Sequence, residues 1–305
     1  MDKKIKTAVI GLDTSHSVEF PRYCMDPAVE AKWKCEDLTV TSCLRFETPF
    51  QGKAGLDERQ KTLEALGIKV TENFEEAVAD CDAILIEIND PSLHWEYFQK
   101  CADLGKKIFL DKPFADSLEN ALRIHTLAKE KNISYFTASS LRYIQELDAA
   151  LDGVNEPVND ACVWGPLGKT PDGSSGLIWY GIHTFEMLQR IMGNGAIAVS
   201  AVPDVKGVVC IVTYKDGRRG VVELSRGEFV YGGTLRGKTR DFRRDFTYTG
   251  AVPLYSPLIK EIGRFFKGES QGVAIRDSLE IMALLDGADR SCRMGGTPVA
   301  IVIPE

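Results

Sequence analysis

One lysine carries the most chemical promise in this chain. It stands in the run Lys107-Ile108-Phe109-Leu110-Asp111-Lys112-Pro113-Phe114-Ala115-Asp116-Ser117. The apolar residues read as a buried strand that delivers an amine to the carboxyl edge of a sheet, and Pro113 stops it. Asp116 with Glu119 forms a capping box for the helix that follows. An amine at the mouth of an α/β crevice is partly desolvated, which lowers its pKa and makes it usable as an acid or base. A solvated lysine in a turn is the plain alternative.

Other polar residues follow strand-like runs just as directly. Gly11 follows Ile5–Ile10, Arg45 follows Leu38–Leu44, and Asn89 and Asp90 follow Ala83–Ile88. In a parallel α/β sheet ligands sit outside the carboxyl ends of the strands, so these residues should share one rim with Asp111 and Lys112. The first loop, Gly11-Leu12-Asp13-Thr14-Ser15-His16, stands where a G-x-G-x-x-G fingerprint would cradle a dinucleotide. Only Gly11 survives; Asp13 and His16 take the second and third glycine positions. A carboxylate beside a pyrophosphate is unfavourable, yet Thr14, Ser15 and the helix N-terminus still offer hydroxyls and N–H groups to an anion. Asp13, Thr14 and Ser15 could equally do no more than cap the helix. After the second strand, Cys43-Leu44-Arg45 lacks an acid for ribose hydroxyls. Its arginine leans toward a 2′-phosphate without choosing between NAD and NADP.

The elements that must position these groups change character along the chain. Up to about residue 140, short strand-like runs alternate with helical ones; further strands are Ile68–Val70 and Ser134–Thr137. Helices fit Asp57–Leu66, Phe74–Ala79, Ser92–Leu104 and Leu118–Glu130. Such alternation means right-handed βαβ units and a doubly wound, Rossmann-like parallel sheet. Residues 141–305 read as an α+β domain with an open, mostly antiparallel sheet. After a helix at Tyr143–Leu151, its strands are Ala161–Trp164, Ala196–Val202, Val208–Tyr214, Gly220–Leu224, Glu228–Tyr231, Asp245–Thr249 and Val299–Ile303. Tyr214-Lys215-Asp216-Gly217-Arg218 reads as a hairpin turn. Helices fit Gly181–Met192, Pro257–Phe266 with Ser256 as cap, and Ser278–Arg293. The second sheet's uncovered face is the expected meeting surface for subunits.

Composition bounds the class. The chain's 305 residues, 44% hydrophobic, suffice for one large or two medium domains. A net charge of −7 argues against nucleic acid or anionic membrane as partner. No apolar stretch reaches the length of a membrane span, and the N-terminus is not a signal peptide. Eight cysteines form no C-x-x-C pair, which suits reduced thiols in a cytoplasmic protein.

The histidines and aromatics carry weaker signals. His125 lies among Leu118, Leu122 and Leu127 and reads as structural. His94, one turn into a helix, either caps or lines the cofactor crevice. His16 with Asp13 could be half of a metal site, but no spacing supplies further ligands and no metal is expected. Trp164, Trp179 and Tyr180 flank the expected second-domain pocket, where aromatic faces suit a pyranose as well as a core.

Taken together, these residues resemble the Gfo/Idh/MocA family of sugar and cyclitol dehydrogenases. Asn89-Asp90-Pro91-Ser92-Leu93-His94 is similar to the family's Pro-x-x-x-His segment. Asp111-Lys112-Pro113 is similar to its Glu-Lys-Pro motif, with aspartate for glutamate. Ser139-Ser140-Leu141-Arg142 is similar to the segment that leaves the first sheet. Gly181-Ile182-His183-Thr184-Phe185-Glu186 resembles Gly-x-His-x-x-Asp, and Ser256–Gly268, Asp277–Ser291 and Gly296–Val299 match the typical ending. The resemblance implies hydride exchange between a sugar carbon and NAD or NADP, and a dimer or tetramer formed through the C-terminal sheet. Lys112 would hold the hydroxyl proton, His183 would be its acid/base partner, and both would converge on one cleft. Gly11, Asp13, Thr14, Ser15, His16, Arg45, Asn89, Asp90, His94, Asp111 and Lys112 itself would face the cofactor; Arg142, Trp179, Tyr180 and Glu186 would face the substrate. Without that motif, His183 is a helix histidine on an apolar face.

Three departures are evident. Trp179 replaces the family's aspartate four residues before the histidine, Glu186 is one methylene longer than the family's aspartate, and the glycine loop is broken. They leave two rivals: a non-redox protein binding a sugar-like ligand or partner on the same scaffold, and a lyase or glycosidase working by transient oxidation.

Overall fold

The computed structural model describes residues 4–239 and 242–304. The chain divides into two compact units: one runs to Ala138 and takes in Pro253–Ile275, the other comprises Ser139–Val252 and the chain from Arg276. The first unit contains β1 (Ile5–Ile10), α1 (His16–Met25), β2 (Leu38–Leu44), α2 (Lys53–Ala65), β3 (Lys69–Thr71), α3 (Phe74–Val78), β4 (Ala83–Ile86), α4 (His94–Ala102), β5 (Lys107–Leu110), α5 (Leu118–Lys131) and β6 (Tyr135–Thr137). The second contains α6 (Gln145–Leu151), β7 (Asp160–Pro166), α7 (Gly176–Trp179), α8 (Ile182–Met192), β8 (Ala196–Pro203), β9 (Gly207–Tyr214), β10 (Arg219–Ser225), β11 (Gly232–Arg236) and β12 (Arg243–Thr247). The chain returns to the first unit for α9 (Ser256–Lys267) and ends with α10 (Ile275–Arg293) and β13 (Val299–Ala300).

The first sheet is parallel throughout, in the order β3-β2-β1-β4-β5-β6. This is the doubly wound order, whose direction reverses between β1 and β4 and opens a crevice at their carboxyl ends. β4, Ala-Ile-Leu-Ile, is buried at every residue, as a strand covered on both faces must be. The second sheet runs β12-β11-β7-β10-β9-β8-β13 and is antiparallel except where β7 meets β10. The expected hairpin at Tyr214–Arg218 joins β9 to β10, with the Gly217 N–H on the Tyr214 carbonyl at 3.1 Å.

Several local expectations are corrected. The helix after β5 is capped by Ser117, whose hydroxyl accepts from the Asn120 N–H, and not by an Asp116–Glu119 box. Ser256 is the first residue of α9, its hydroxyl donating to the Trp33 carbonyl at 2.7 Å, and Tyr255 stands at the cap position. No strand forms at Glu228–Tyr231; β11 begins at Gly232 instead. Glycine is a poor strand former, but a side chain at Gly232 would meet the Trp164 ring at 2.7 Å, so close packing against β7 selects it. The last strand is cut to Val299–Ala300.

A single cut after residue 140 also fails to describe the division, because α9 packs on the first unit. Phe265 meets Phe136 edge-on with centroids 4.9 Å apart, and Tyr255 lies 5.0 Å from His16. The Lys107 amine donates to the Phe265 and Phe266 carbonyls at 2.8 and 3.2 Å, a cation at a helix C-terminus. Phe265→Ala should therefore cost about 3 kcal/mol in chemical denaturation. The accompanying loss of hydrogen-exchange protection should fall on β5 and β6 and spare β7 to β10; protection lost from β7 to β10 instead would refute the packing of α9.

Candidate functional site

The rim of the first sheet gathers an unusual number of charges. Lys112, directly after β5, is 5% exposed; Asp111 and Glu87 are fully buried, and Asp13 nearly so. Burial lowers the Lys112 pKa, outweighing the pull of Asp111, Glu87 and Asp13. For Asp111 burial acts upward, but His16 and Lys112 prevail and its pKa is lowered. Glu87 is pushed well up, by burial first and then by the Asp111 charge. His16 stacks on Phe20 and sets its Nδ1 2.8 Å from Asp111 Oδ2 and 4.0 Å from Glu87 Oε2.

The first loop keeps one feature of a dinucleotide site and alters another. Gly11 has φ +102°, and a Cβ there would lie 2.6 Å from the Glu87 carbonyl oxygen, so only glycine fits. Asp13 does not turn toward His16. Its carboxylate accepts from the Asn89 N–H at 2.8 Å and the Thr48 hydroxyl at 2.8 Å, tying together the loops after β1, β2 and β4. Burial raises its pKa against those bonds. Thr14 accepts from the His16 N–H at 3.3 Å, and Ser15 is exposed at the helix start without capping through its side chain.

Other expected cofactor contacts turn inward. His94 is fully buried, with Nε2 2.8 Å from the Ile88 carbonyl and Nδ1 3.2 Å from that of Phe114, so it braces two loops. Asp90 caps the turn at Pro91–Leu93 through the Ser92 N–H. Arg45 pairs with Asp57 at 2.9 Å and lies 3.8 Å from Glu72, within a cavity of about 430 Å³ that Glu47 and Lys53 also line. That cavity lies where an adenosine would follow β2, so with Gly11 retained the residues present fit a dinucleotide.

The second unit organises its own polar network around α8. His183 is 7% exposed, its Nδ1 2.6 Å from the Ser139 hydroxyl, with Tyr180 and Tyr231 edge-on to its ring. Glu186 accepts from the Ser139 N–H at 3.2 Å and pairs with Arg142 at 3.1 Å, while Arg142 also donates to Gln189 at 2.8 Å. With its carboxylate 2% exposed, Glu186 anchors Ser139 and Arg142, and Ser139 in turn orients His183. Trp179 and Tyr180 line a cavity of about 900 Å³, joined by Lys169, Arg226, Phe229 and Asp289.

Glu87, Thr48 and Ser139 were not foreseen as participants. Of these only Glu87 left a signal, a single acid in Ile84-Leu85-Ile86-Glu87-Ile88. The Glu186 network gives a signed prediction. Burial raises the Glu186 pKa above 4.5 despite Arg142, so its contribution is full at pH values below 4.5. It is lost as pH rises through the folded value. Glu186→Gln should remove this slope, so wild type loses stability relative to the variant as pH rises from 4.5; a constant difference in denaturant midpoints would refute it.

Residues 53–139 match the model of an oxidoreductase family with an NAD-binding Rossmann fold. A curated relative, an uncharacterized oxidoreductase of Streptococcus pneumoniae, is 23% identical over 153 residues, 45% of this chain and 42% of that protein. The match thus spans less than half the length of either. Myo-inositol dehydrogenase from Lactobacillus casei, solved with NAD(H) and myo-inositol, superposes with a TM-score of 0.79 at 14% identity, covering 99% of this chain and 98% of that one. An oxidoreductase from Agrobacterium radiobacter, solved with NAD+, L-tartaric acid and magnesium, gives 0.75 at 15% identity, with 98% and 99% covered. Such identities carry the fold alone. The chain therefore resembles the Gfo/Idh/MocA oxidoreductases in sequence over residues 53–139 and in fold over nearly its whole length.

Proposed function

We propose that this protein is an NAD-dependent oxidoreductase acting on a sugar, cyclitol or related polyol. The observation that carries the reading is Lys112, an amine kept from water at the carboxyl edge of β5, two strands from the Gly11 turn. Oxidising a carbinol removes a hydride from carbon and a proton from oxygen, and the proton needs a base within hydrogen-bond reach. The nicotinamide supplies the hydride acceptor. Lys112 takes the hydroxyl proton, burial having reduced the cost of its neutral form. His183 is its acid/base partner, oriented by Ser139. Trp179 and Tyr180 offer flat apolar faces to a ring, and Lys169 and Arg226 offer donors to its oxygens.

Arg45, pointing in the sequence toward a 2′-phosphate, is spent on Asp57, with Glu72 near it. The carboxylates of Glu47 and Glu72 in that cavity suit a ribose diol, which favours NAD over NADP. NADH should bind with enhanced nicotinamide fluorescence, and more tightly than NADPH. Lys112→Met should cut turnover at least about a hundredfold on the best polyol of a panel while NADH binding stays within a few fold. No binding of either dinucleotide at millimolar concentration would refute the reading.

Asp13 favours the rival, a ligand-binding protein without redox activity. Because Asp13 also ties Thr48 to Asn89, its charge is better removed by Asp13→Asn than by Asp13→Gly. If a pyrophosphate enters this loop, Asp13→Asn tightens NADH binding; in the rival NADH binding is absent in both proteins.

We also propose a homodimer or homotetramer formed through the second sheet. Along β9, Val208, Cys210 and Val212 are buried while Val209 and Ile211 are exposed, and Val209 pairs across to exposed Val202. An apolar row on an uncovered sheet face suits a second copy of itself. Ile211→Glu should reduce the mass measured by light scattering to that of one chain; a wild-type protein already monomeric at assay concentration would refute this.

A further inference from the structure

We propose that His16, Glu87 and Asp111 form a binding site for one divalent transition-metal ion inside the first unit. The sequence offered His16 only Asp13 as a companion ligand, and Asp13 is engaged elsewhere. The fold supplies two others. β1, β4 and β5 are neighbours in the sheet, so the first residue of α1, the residue after β4 and the residue after β5 come together. One ligand atom from each, all buried, lies within 4.8 Å of the others. That spread accommodates a single centre with only small adjustments toward ordinary metal–ligand lengths of about 2.0–2.4 Å.

The independent observation is the state of the carboxylates. Glu87 is 0% exposed, yet neither of its oxygens has a hydrogen-bond partner, and Asp111 Oδ1 also has none. Buried carboxylate oxygens are expected to be bonded, and leaving several unmet carries a desolvation penalty with no return. Glu87 Oε2 points to the same His16 nitrogen that Asp111 engages. Two of the three ligand side chains are carboxyls with unbonded oxygens, the hard donors that a divalent cation takes. One imidazole and two carboxylates, with no thiolate, suit zinc, manganese or ferrous iron better than calcium or magnesium, which prefer oxygen alone. His16 would bind through Nδ1, the nitrogen that faces both carboxyls. Its ring, held by Phe20 and Tyr255, is already oriented for it.

The inference stands apart from the proposed redox activity, because its test needs neither dinucleotide nor substrate. Metal-free protein is dialysed at length against Zn²⁺ or Mn²⁺ and analysed by elemental mass spectrometry, with thermal unfolding recorded beside it. One ion per chain and a raised melting temperature are expected. Glu87→Gln should weaken binding at least about tenfold and abolish the thermal shift. His16→Phe, which keeps the aromatic packing, should do the same and serves if Glu87→Gln folds poorly. A protein that takes up no metal overturns the proposal and leaves the carboxylates satisfied by protons; so does uptake that both variants retain.

Discussion

Charge delivered to the end of a buried strand cannot be hydrated away, and that constraint shapes the first unit. β1, β4 and β5 are packed on both faces, so polar residues at their carboxyl ends have only each other as solvent. Lys112 survives there because Asp111, Glu87 and Asp13 surround it with opposite charge while burial weakens its hold on the proton. The balance matters chemically. An amine stabilised fully by carboxylates would be a spectator, and one buried alone would be permanently neutral. Lys112 lies between these limits, its pKa lowered by burial against the pull of three carboxyl groups.

Asp13 illustrates how one substitution in a familiar loop changes what the loop is for. A glycine at that position would leave the N–H of Asn89 without this acceptor and the Thr48 hydroxyl with only the Phe50 N–H to accept from. The carboxylate instead acts as an internal strut across three loops, with Arg59 adding a bond to the Leu12 carbonyl at 2.9 Å. Rigidity is gained at the cost of a negative charge where phosphate oxygens would approach. The loop is preorganised by its own side chain.

How far the sequence reached can be judged residue by residue. β1, β2 and β5 were legible to the residue because each is an apolar run with a clear stop. α5 ended one residue past expectation, where Asn132 takes a left-handed turn. What escaped was set by distant packing. Gly232 and Gly233 look like a loop until Trp164 and Val163 are placed beside them. α9 looks like part of the second domain until Phe136 and Lys107 are seen to receive it. In the candidate site, Lys112 could be singled out because a motif flags it. Glu87 could not be partnered, since its neighbours lie 24 and 71 residues away in sequence. The inward turn of His94 and Glu186 likewise depends on carbonyls and an arginine that no spacing rule names.

Trp179 bears most directly on how proton handling is divided. The family pattern puts a carboxylate four residues before the histidine, and a carboxylate beside an imidazole favours its charged form. Here an indole occupies that position, and the partner of His183 Nδ1 is the Ser139 hydroxyl. A hydroxyl can fix the ring's orientation, but it carries no charge to support an imidazolium. Glu186 reaches Ser139 through its N–H, and its negative charge is matched by Arg142. His183 Nδ1 is thus held in orientation by a neutral hydroxyl. Glu186 is thereby spent inside the second unit, on Ser139 and Arg142, and it acts on His183 only through the residue that orients the ring.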